Sequence, residues 1–334
     1  MDSLTQLALG ATVSVAVMGR RTAVWKAALW GGIAGTLPDL DVVFDFGDAI
    51  LNMVRHRAES HSLLYLTLIA PLLGALAARL HGQWPLWPRW SIALWGALFT
   101  HPLLDWMTVY GTQLLQPFTD FPFAVGSLFI IDPAVTLPLL LGLIAALALR
   151  QHRGLRWNTA GLAVASAYIA WSVLAQGLAT QAARADLARQ GIEPTGLLVT
   201  PAPLNTVLWR VVATSPEHYW EGHVSLLDAQ PQFGWRRYER GADLIAQHGA
   251  LDGVRHVAAF SHGFYRLRAD NGRLVLTDLR MGQEPGYVFS FDLGPLDAPG
   301  QQPAVQVGYR TDVGEGLRWL WRRIWGEAVL PPGV

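Results

Sequence analysis

The chain contains no cysteine in 334 residues. Disulfides and thiolate metal sites are therefore excluded, and cysteine usage carries no record of a redox compartment. Charge is scarce as well. Asp, Glu, Lys and Arg make up 15% of the chain, where a soluble globular domain is nearer about a quarter. Neither sign is in surplus: 25 basic and 25 acidic residues give a formal net charge of zero. Basic residues gather only in short pairs and triplets, so nothing points to a nucleic-acid partner. The N-terminus does not read as a secretory signal either. Asp2 stands where a basic leader would begin, and no small-x-small cleavage site follows the first apolar run, so that run is expected in the mature protein.

What the chain does have is apolar sequence, 51% of all residues. The shortage of charge is extreme up to about Ala179, and composition becomes ordinary after Ala182. This shift predicts two domains, a transmembrane helical domain over 1–180 and a soluble, β-rich α+β domain over 181–334. A helix needs about 20 mostly apolar residues to cross the hydrocarbon core. Six stretches approach this: Leu4–Met18, Ala23–Val43, Leu63–Leu80, Ile92–Tyr110, Leu128–Leu149 and Trp157–Leu178. The expected fold is thus a membrane α-helical bundle of about six spans, followed by the β-rich domain.

Lys and Arg near the span ends set the orientation. With the N-terminus outside, the inner loops hold Arg20, Arg21 and Lys26, then Arg79 and Arg89, then Arg150, Arg153 and Arg156. The outer loops hold only Arg55 and Arg57. Six spans then put the C-terminal domain on the outer side, which is the periplasm in a Gram-negative cell. Within that domain, Gln181–Gln190 reads as helix and Val313–Ile324 as a closing helix. Strand-like runs are Leu204–Ala213, His218–Leu227, Val254–Phe260, Gly263–Ala269, Arg273–Leu279 and Tyr287–Leu293, with Gln302–Tyr309 a further one. Asp270-Asn271-Gly272 is a strong hairpin-turn signal.

The membrane half carries an unusual set of polar residues. They are Asp2; Asp39 and Asp41 after Pro38; His56, Arg57, Ser60 and His61; His101 and Asp105; and Asp132 in Ile-Asp-Pro. Under the orientation above, every one of them falls at the outer end of a span or in an outer loop, whereas random placement would divide them between two faces. His101 and Asp105 are four residues apart and share one helix face. That spacing suits two metal ligands, or a His ligand and the carboxylate that orients it. His56 and His61 are too awkwardly spaced for one helix face, so His56 is placed in the loop and His61 near the start of the third span, with Ser60 as a candidate N-cap.

Three His and several Asp without Cys form a ligand set for a divalent metal. Zn²⁺ fits best, with Mn²⁺ or Fe²⁺ as alternatives. The candidate ligands are His56, His61, His101, Asp105 and Asp41; Asp39 or Asp41 could act as general base, and Arg57 could hold a substrate phosphate or carboxylate. Asp132 before Pro133 reads equally well as a helix N-cap.

Met1-Asp2-Ser3-Leu4-Thr5-Gln6, Pro38-Asp39-Leu40-Asp41, His56-Arg57-x-x-Ser60-His61-Ser62, His101-x-x-x-Asp105, the run from Tyr110 to Phe118 and Ile131-Asp132-Pro133 together carry a resemblance. Over about residues 1–145 the chain resembles bacterial membrane proteins assigned as metal-dependent hydrolases and grouped with YdjM and YfhP. The resemblance implies an inner-membrane location, a multi-pass N-terminal part and a metal-dependent hydrolase, with Asp39, Asp41, His56, His61, His101 and Asp105 as its functional residues. Many members carry His near the start where this chain has Gln6, which counts against a second metal.

The residues therefore lead to a membrane-embedded hydrolase acting on a lipid-like or envelope substrate through metal-activated water. Membrane lipids are the other expected partner. The alternatives from other classes are a metal or proton transporter, and a non-catalytic anchor that presents the soluble domain.

Overall fold

A computed structural model describes residues 1–149, 152–308 and 312–333. Arg150, Tyr309 and Val334, which entered the sequence reading, lie outside the described residues. The elements divide into two compact units: Met1–Val43 with Arg57–Ser172, and Phe44–His56 with Val173–Val334.

The helices run in the order α1 (Ser3–Met18), α2 (Val24–Thr36), α3 (Ala49–Arg55), α4 (Leu63–Leu80), α5 (Trp87–Trp106), α6 (Pro133–Leu149) and α7 (His152–Arg189). Helices thus stand at all six apolar stretches, and α3 is an addition that belongs to the second unit. Among the described residues, α4 and α7 are long and apolar enough to cross a membrane. Helices α1 and α6 are apolar but have 16 and 17 residues. Helix α2 has 13, and the run of α5 is diluted by Arg89, His101 and Asp105.

In the first unit α1 is central and packs against α2, α5 and α6. Its crossing with α2 is very close because both surfaces are small. A Cβ on Gly35 would lie 2.5 Å from the Gln6 carbonyl oxygen and 3.0 Å from the Gly10 Cα. Gly31-x-x-x-Gly35 is the small-residue spacing that lets membrane helices approach backbone to backbone. Trp90, Leu94 and Leu98 of α5, with Val15 and Met18 of α1, fill the core beside it.

The second unit is β-rich. Strands β1 (Gly196–Pro201), β2 (Leu208–Thr214), β3 (His218–Ser225) and β4 (Arg236–Glu239) form one antiparallel sheet in that order. Every residue of β2, the strand between β1 and β3, is buried, Arg210 among them. The latter part of α7 lays Ala175, Ala179 and Ala183 against Val199, Trp209, Val211 and Val224 of this sheet, so Gln181–Gln190 continues α7 rather than starting anew. Helices α8 (Ala242–His248) and α9 (Asp252–Phe260) follow, then β5 (Tyr265–Asp270), β6 (Arg273–Asp278), a two-residue pair β7 (Gly282–Gln283) and β8 (Gly286–Tyr287), β9 (Ser290–Pro295), β10 (Val305–Gln306) and α10 (Val313–Ile324). The second sheet has the order β10-β9-β6-β5. Its β5–β6 hairpin turns at Asn271 and Gly272, whose φ angles are 49° and 76°, the conformation the Asp-Asn-Gly signal demands.

One expected strand is a helix. Val254–Phe260 lies in α9, where Val254, Val257 and Phe260 are buried at three-residue intervals. That interval is one face of a helix, whereas a strand would have buried alternate residues. The expected Tyr287–Leu293 strand starts later, at Ser290, because Gly286–Tyr287 is spent on the small hairpin with Gly282–Gln283.

Candidate metal centre

Helix α2 stops at Thr36, and Pro38 opens a tight 3-10 turn over Pro38–Val43 that carries Asp39 and Asp41. Arg57 has a φ of 66°, a left-handed conformation that non-glycine residues adopt only when their surroundings compensate. The compensation comes from Asp41: its Oδ2 accepts the Arg57 backbone N–H at 2.9 Å and the Ser60 hydroxyl at 2.6 Å. A short 3-10 turn, Glu59–His61, then brings His61 inward, completely buried. Ser62, rather than Ser60, caps α4: its Oγ accepts the Tyr65 N–H at 3.3 Å and donates to the Gln116 carbonyl at 2.6 Å. His101 and Asp105 project from α5, also fully buried.

Asp39, His61, His101 and Asp105 converge, each offering one ligand atom, and the four atoms lie within 4.8 Å of one another. His61 Nε2 is 3.1 Å from His101 Nε2, 3.2 Å from Asp105 Oδ2 and 3.6 Å from Asp39 Oδ1. His101 Nε2 is 3.3 Å from Asp105 Oδ2 and 3.4 Å from Asp39 Oδ1. Tetrahedral ligands about 2.0–2.1 Å from a zinc ion would be spaced about 3.3 Å apart, and these five separations bracket that value.

The hydrogen bonds behind the rings decide which atoms face inward. His101 Nδ1 is 2.6 Å from the Gly35 carbonyl oxygen. A carbonyl can only accept, so Nδ1 carries the proton and Nε2 presents a lone pair in the neutral ring. His61 Nδ1 is 2.8 Å from Ser60 Oγ. The single hydroxyl proton of Ser60 goes to Asp41, so His61 Nδ1–H donates to Ser60 and its Nε2 is an acceptor too. Asp105 Oδ1 takes the Gln6 side-chain N–H at 3.1 Å and the Met1 amine, and lies 3.4 Å from Arg57. Its Oδ2 has no hydrogen-bond donor although it is buried. Two imidazole lone pairs and two carboxylate oxygens thus point at one another, an arrangement that a divalent cation satisfies.

Asp41 stands behind His61 through Ser60, at 3.6 Å from His61 Nδ1, rather than in the quartet. Arg57 is buried, its Nη1 donating to Thr108 Oγ1 at 3.2 Å and its guanidinium 4.9 Å from the Tyr110 ring centre. His56 ends helix α3 in the second unit and is not brought into the quartet. Asp2 and Asp132 are caps: Asp2 Oδ1 accepts the Thr5 N–H at 3.0 Å. Asp132 Oδ1 accepts the Ala134 N–H at 3.0 Å, and its Oδ2 accepts the Tyr168 hydroxyl at 3.0 Å. Sequence reasoning missed the Gly35 carbonyl and the two-sided role of Ser60; the only trace of the first was the Gly31-x-x-x-Gly35 spacing.

No curated protein and no solved structure matches the chain. The family description "YdjM inner membrane protein" matches residues 1–179, a stretch that includes α1 to α6, much of α7 and the whole His/Asp quartet. On that match, the chain belongs to the YdjM inner membrane protein family.

Proposed function

We propose that this protein is a membrane-embedded metal-dependent hydrolase of a lipid-like or envelope substrate. The observation that supports the reading best is the quartet of facing acceptors, with Asp105 Oδ2 buried and without a donor. His61, His101 and Asp105 would hold the metal, with Zn²⁺ the best match to two imidazoles and a carboxylate, and the fourth position, beside Asp39, would be left for water. When bound, a metal of this kind makes water a competent nucleophile near neutral pH and polarises a substrate oxygen.

The chain's own residues do the rest. Gly35 and the Ser60–Asp41 pair hold the two imidazoles in one tautomer and one orientation. Asp39 is the most exposed member of the quartet, its side chain 20% accessible. Its exposure suits it to meet incoming substrate, and it would serve as the general base that takes a proton from water. Arg57 keeps one donor in hand: its Nε–H has no partner, and it can hold an anionic oxygen of a phosphoester or carboxylate. In the proposed arrangement six helices cross the membrane, the N-terminus lies outside, and the β-rich domain emerges on the periplasmic side.

Metal analysis of the purified full chain, beside His61→Ala and His101→Ala, tests this reading. Wild type should carry a stoichiometric divalent metal and both variants should lose it; a metal-free wild type that cannot be loaded with Zn²⁺ overturns the proposal. The loaded protein should then hydrolyse phospholipid phosphoesters, and neither variant should. A phosphatase reporter fused to the C-terminus should be active only if that end is periplasmic.

A further inference from the structure

At the other end of α1 and α2 from the His/Asp quartet, the first unit contains a cavity of about 1100 Å³. The quartet lies by the start of α1 and the end of α2; the cavity lies by Gly19 and Arg20 after α1 and by Val24 and Trp25 at the start of α2. At about 1.5 Å per residue the 16 residues of α1 separate the two by roughly 24 Å. The cavity is therefore separate from the quartet, at the opposite end of α1.

Its wall is basic. Arg20, His152, Arg153 and Arg156 line it, and no lining residue is acidic. Among the described residues none of the three arginines forms an ion pair. Arg20 Nη1 donates to His152 Nε2, tying the end of α1 to the start of α7 across the cavity. Beside these groups stand Trp25, Leu147 and Leu155, so the cavity offers apolar surface next to cationic surface. Thr22 supplies an independent observation. It lines the cavity, is only 9% exposed, and its Oγ1 has no hydrogen-bond partner. A buried hydroxyl without a partner in a cavity wall calls for a polar ligand. Arginines kept on one side solely for orientation would need neither a cavity nor such a hydroxyl.

We propose that this cavity binds the headgroup of an anionic phospholipid, with the arginines and Thr22 around the phosphate and the glycerol and upper acyl chain against Trp25, Leu147 and Leu155. The phosphate monoanion is what the arginines recognise, and the adjacent apolar wall favours a lipid over a soluble phosphate as its bearer. Basic pockets between helices on the inner side of a membrane are suited to this role. The proposal does not depend on the hydrolase reading, because its residues and its assay are separate from the quartet.

The test is titration of the delipidated full chain, in a neutral detergent, with dioleoyl phosphatidylglycerol and with dioleoyl phosphatidylcholine, read by native mass spectrometry. Wild type should prefer phosphatidylglycerol by at least about ten-fold. The variant R20Q/R153Q/R156Q should weaken phosphatidylglycerol binding by about a hundred-fold, at about five-fold per arginine, and leave phosphatidylcholine unchanged. R20K/R153K/R156K should keep most of the preference. The single reversal Arg156→Glu, at an exposed position of α7, provides the same reading should the triple variant fold poorly. Equal binding of the two lipids by wild type overturns the proposal, as does phosphatidylglycerol binding that Arg156→Glu leaves intact. Displacement of the lipid by millimolar inorganic phosphate would assign the site to soluble phosphates and overturn the lipid assignment.

Discussion

The Nε2 atoms of His61 and His101 face each other at 3.1 Å, and in both rings the other nitrogen is already committed as a donor. Two acceptors at that distance repel unless a cation or a proton lies between them. A divalent cation such as Zn²⁺ would answer the arrangement, with the two imidazoles and Asp105 to hold it and Asp39 beside the remaining position. The hydrogen bonds behind the rings are therefore as much a part of the site as the ligands themselves.

Ser60→Ala should weaken metal binding by about 10–100-fold, the range for a group that orients a ligand. It removes the hydroxyl that connects Asp41 to His61 Nδ1. Competition with a chelator of known affinity measures it. His56→Ala is the control, and it should leave the affinity within about two-fold, because His56 lies outside the quartet; a comparable loss there would mean that His56 is a ligand.

Gly35→Val should destabilise the helical unit by about 3 kcal/mol or more, the upper range for overpacking. The added Cβ would meet the Gln6 carbonyl oxygen at 2.5 Å, and the helix separation it forces would pull the Gly35 carbonyl off His101 Nδ1. Thermal unfolding in detergent and metal content should fall together. A variant that keeps the wild-type midpoint would show that α1 and α2 are less closely crossed.

The β-rich unit should lose stability in acid through His223. Burial, helped by the nearby Arg210 and Arg323 guanidinium groups, lowers this imidazole to about 3. In the unfolded chain it titrates near 6.5. Above pH 6.5 neither state holds the proton and nothing is lost. As pH falls from 6.5 towards 3 the unfolded state takes up a proton that the folded state refuses, so stability declines, by on the order of 4 kcal/mol at the bottom of the window. Chemical denaturation of the full chain between pH 7 and pH 4, followed by the near-ultraviolet signal, should show a shallower decline in His223→Gln. Identical slopes for the two proteins would contradict this.

Arg210→Met should cost about 3–5 kcal/mol, the range for a broken buried ion pair. Arg210 pairs with Glu221, and both are buried, 5% exposed each. Glu221 also accepts the Tyr287 hydroxyl and, at 3.0 Å, the Glu284 N–H. Burial alone would raise the Glu221 carboxyl, and the Arg210 guanidinium reverses this and holds it below the ordinary value. Without the arginine a buried carboxylate is left with hydrogen bonds but no countercharge. The double variant Arg210→Met/Glu221→Gln should therefore be more stable than the single one. Unfolding midpoints of the three proteins decide it, and additive losses would sink the argument.

The sequence by itself determined the division into an apolar helical half and a β-rich half, because the run of apolar residues and its end near residue 180 are local properties. It also determined the helices at the six apolar stretches, the Asn271-Gly272 hairpin and α10, whose bounds match the reading Val313–Ile324. The residue types of the candidate metal centre were legible for the same reason: carboxylates and imidazoles are expensive in an apolar setting and stand out there.

Tertiary structure alone decided which of those groups meet. His61 and His101 are 40 residues apart, and the carbonyl that orients His101 lies 66 residues before it on α2. No local pattern encodes such a contact; it follows from the backbone approach that Gly10, Gly31 and Gly35 permit. The same holds for the segment 44–56, which sequence position alone would leave in the helical half. Asp48 Oδ2 accepts the Ala304 N–H at 2.7 Å across 256 residues, so α3 and His56 belong to the β-rich unit. His56 and His61 stand five residues apart in the chain and in different compact units. Long-range packing assigns the segment, because a backbone donor taken from water must find its acceptor wherever the fold supplies one.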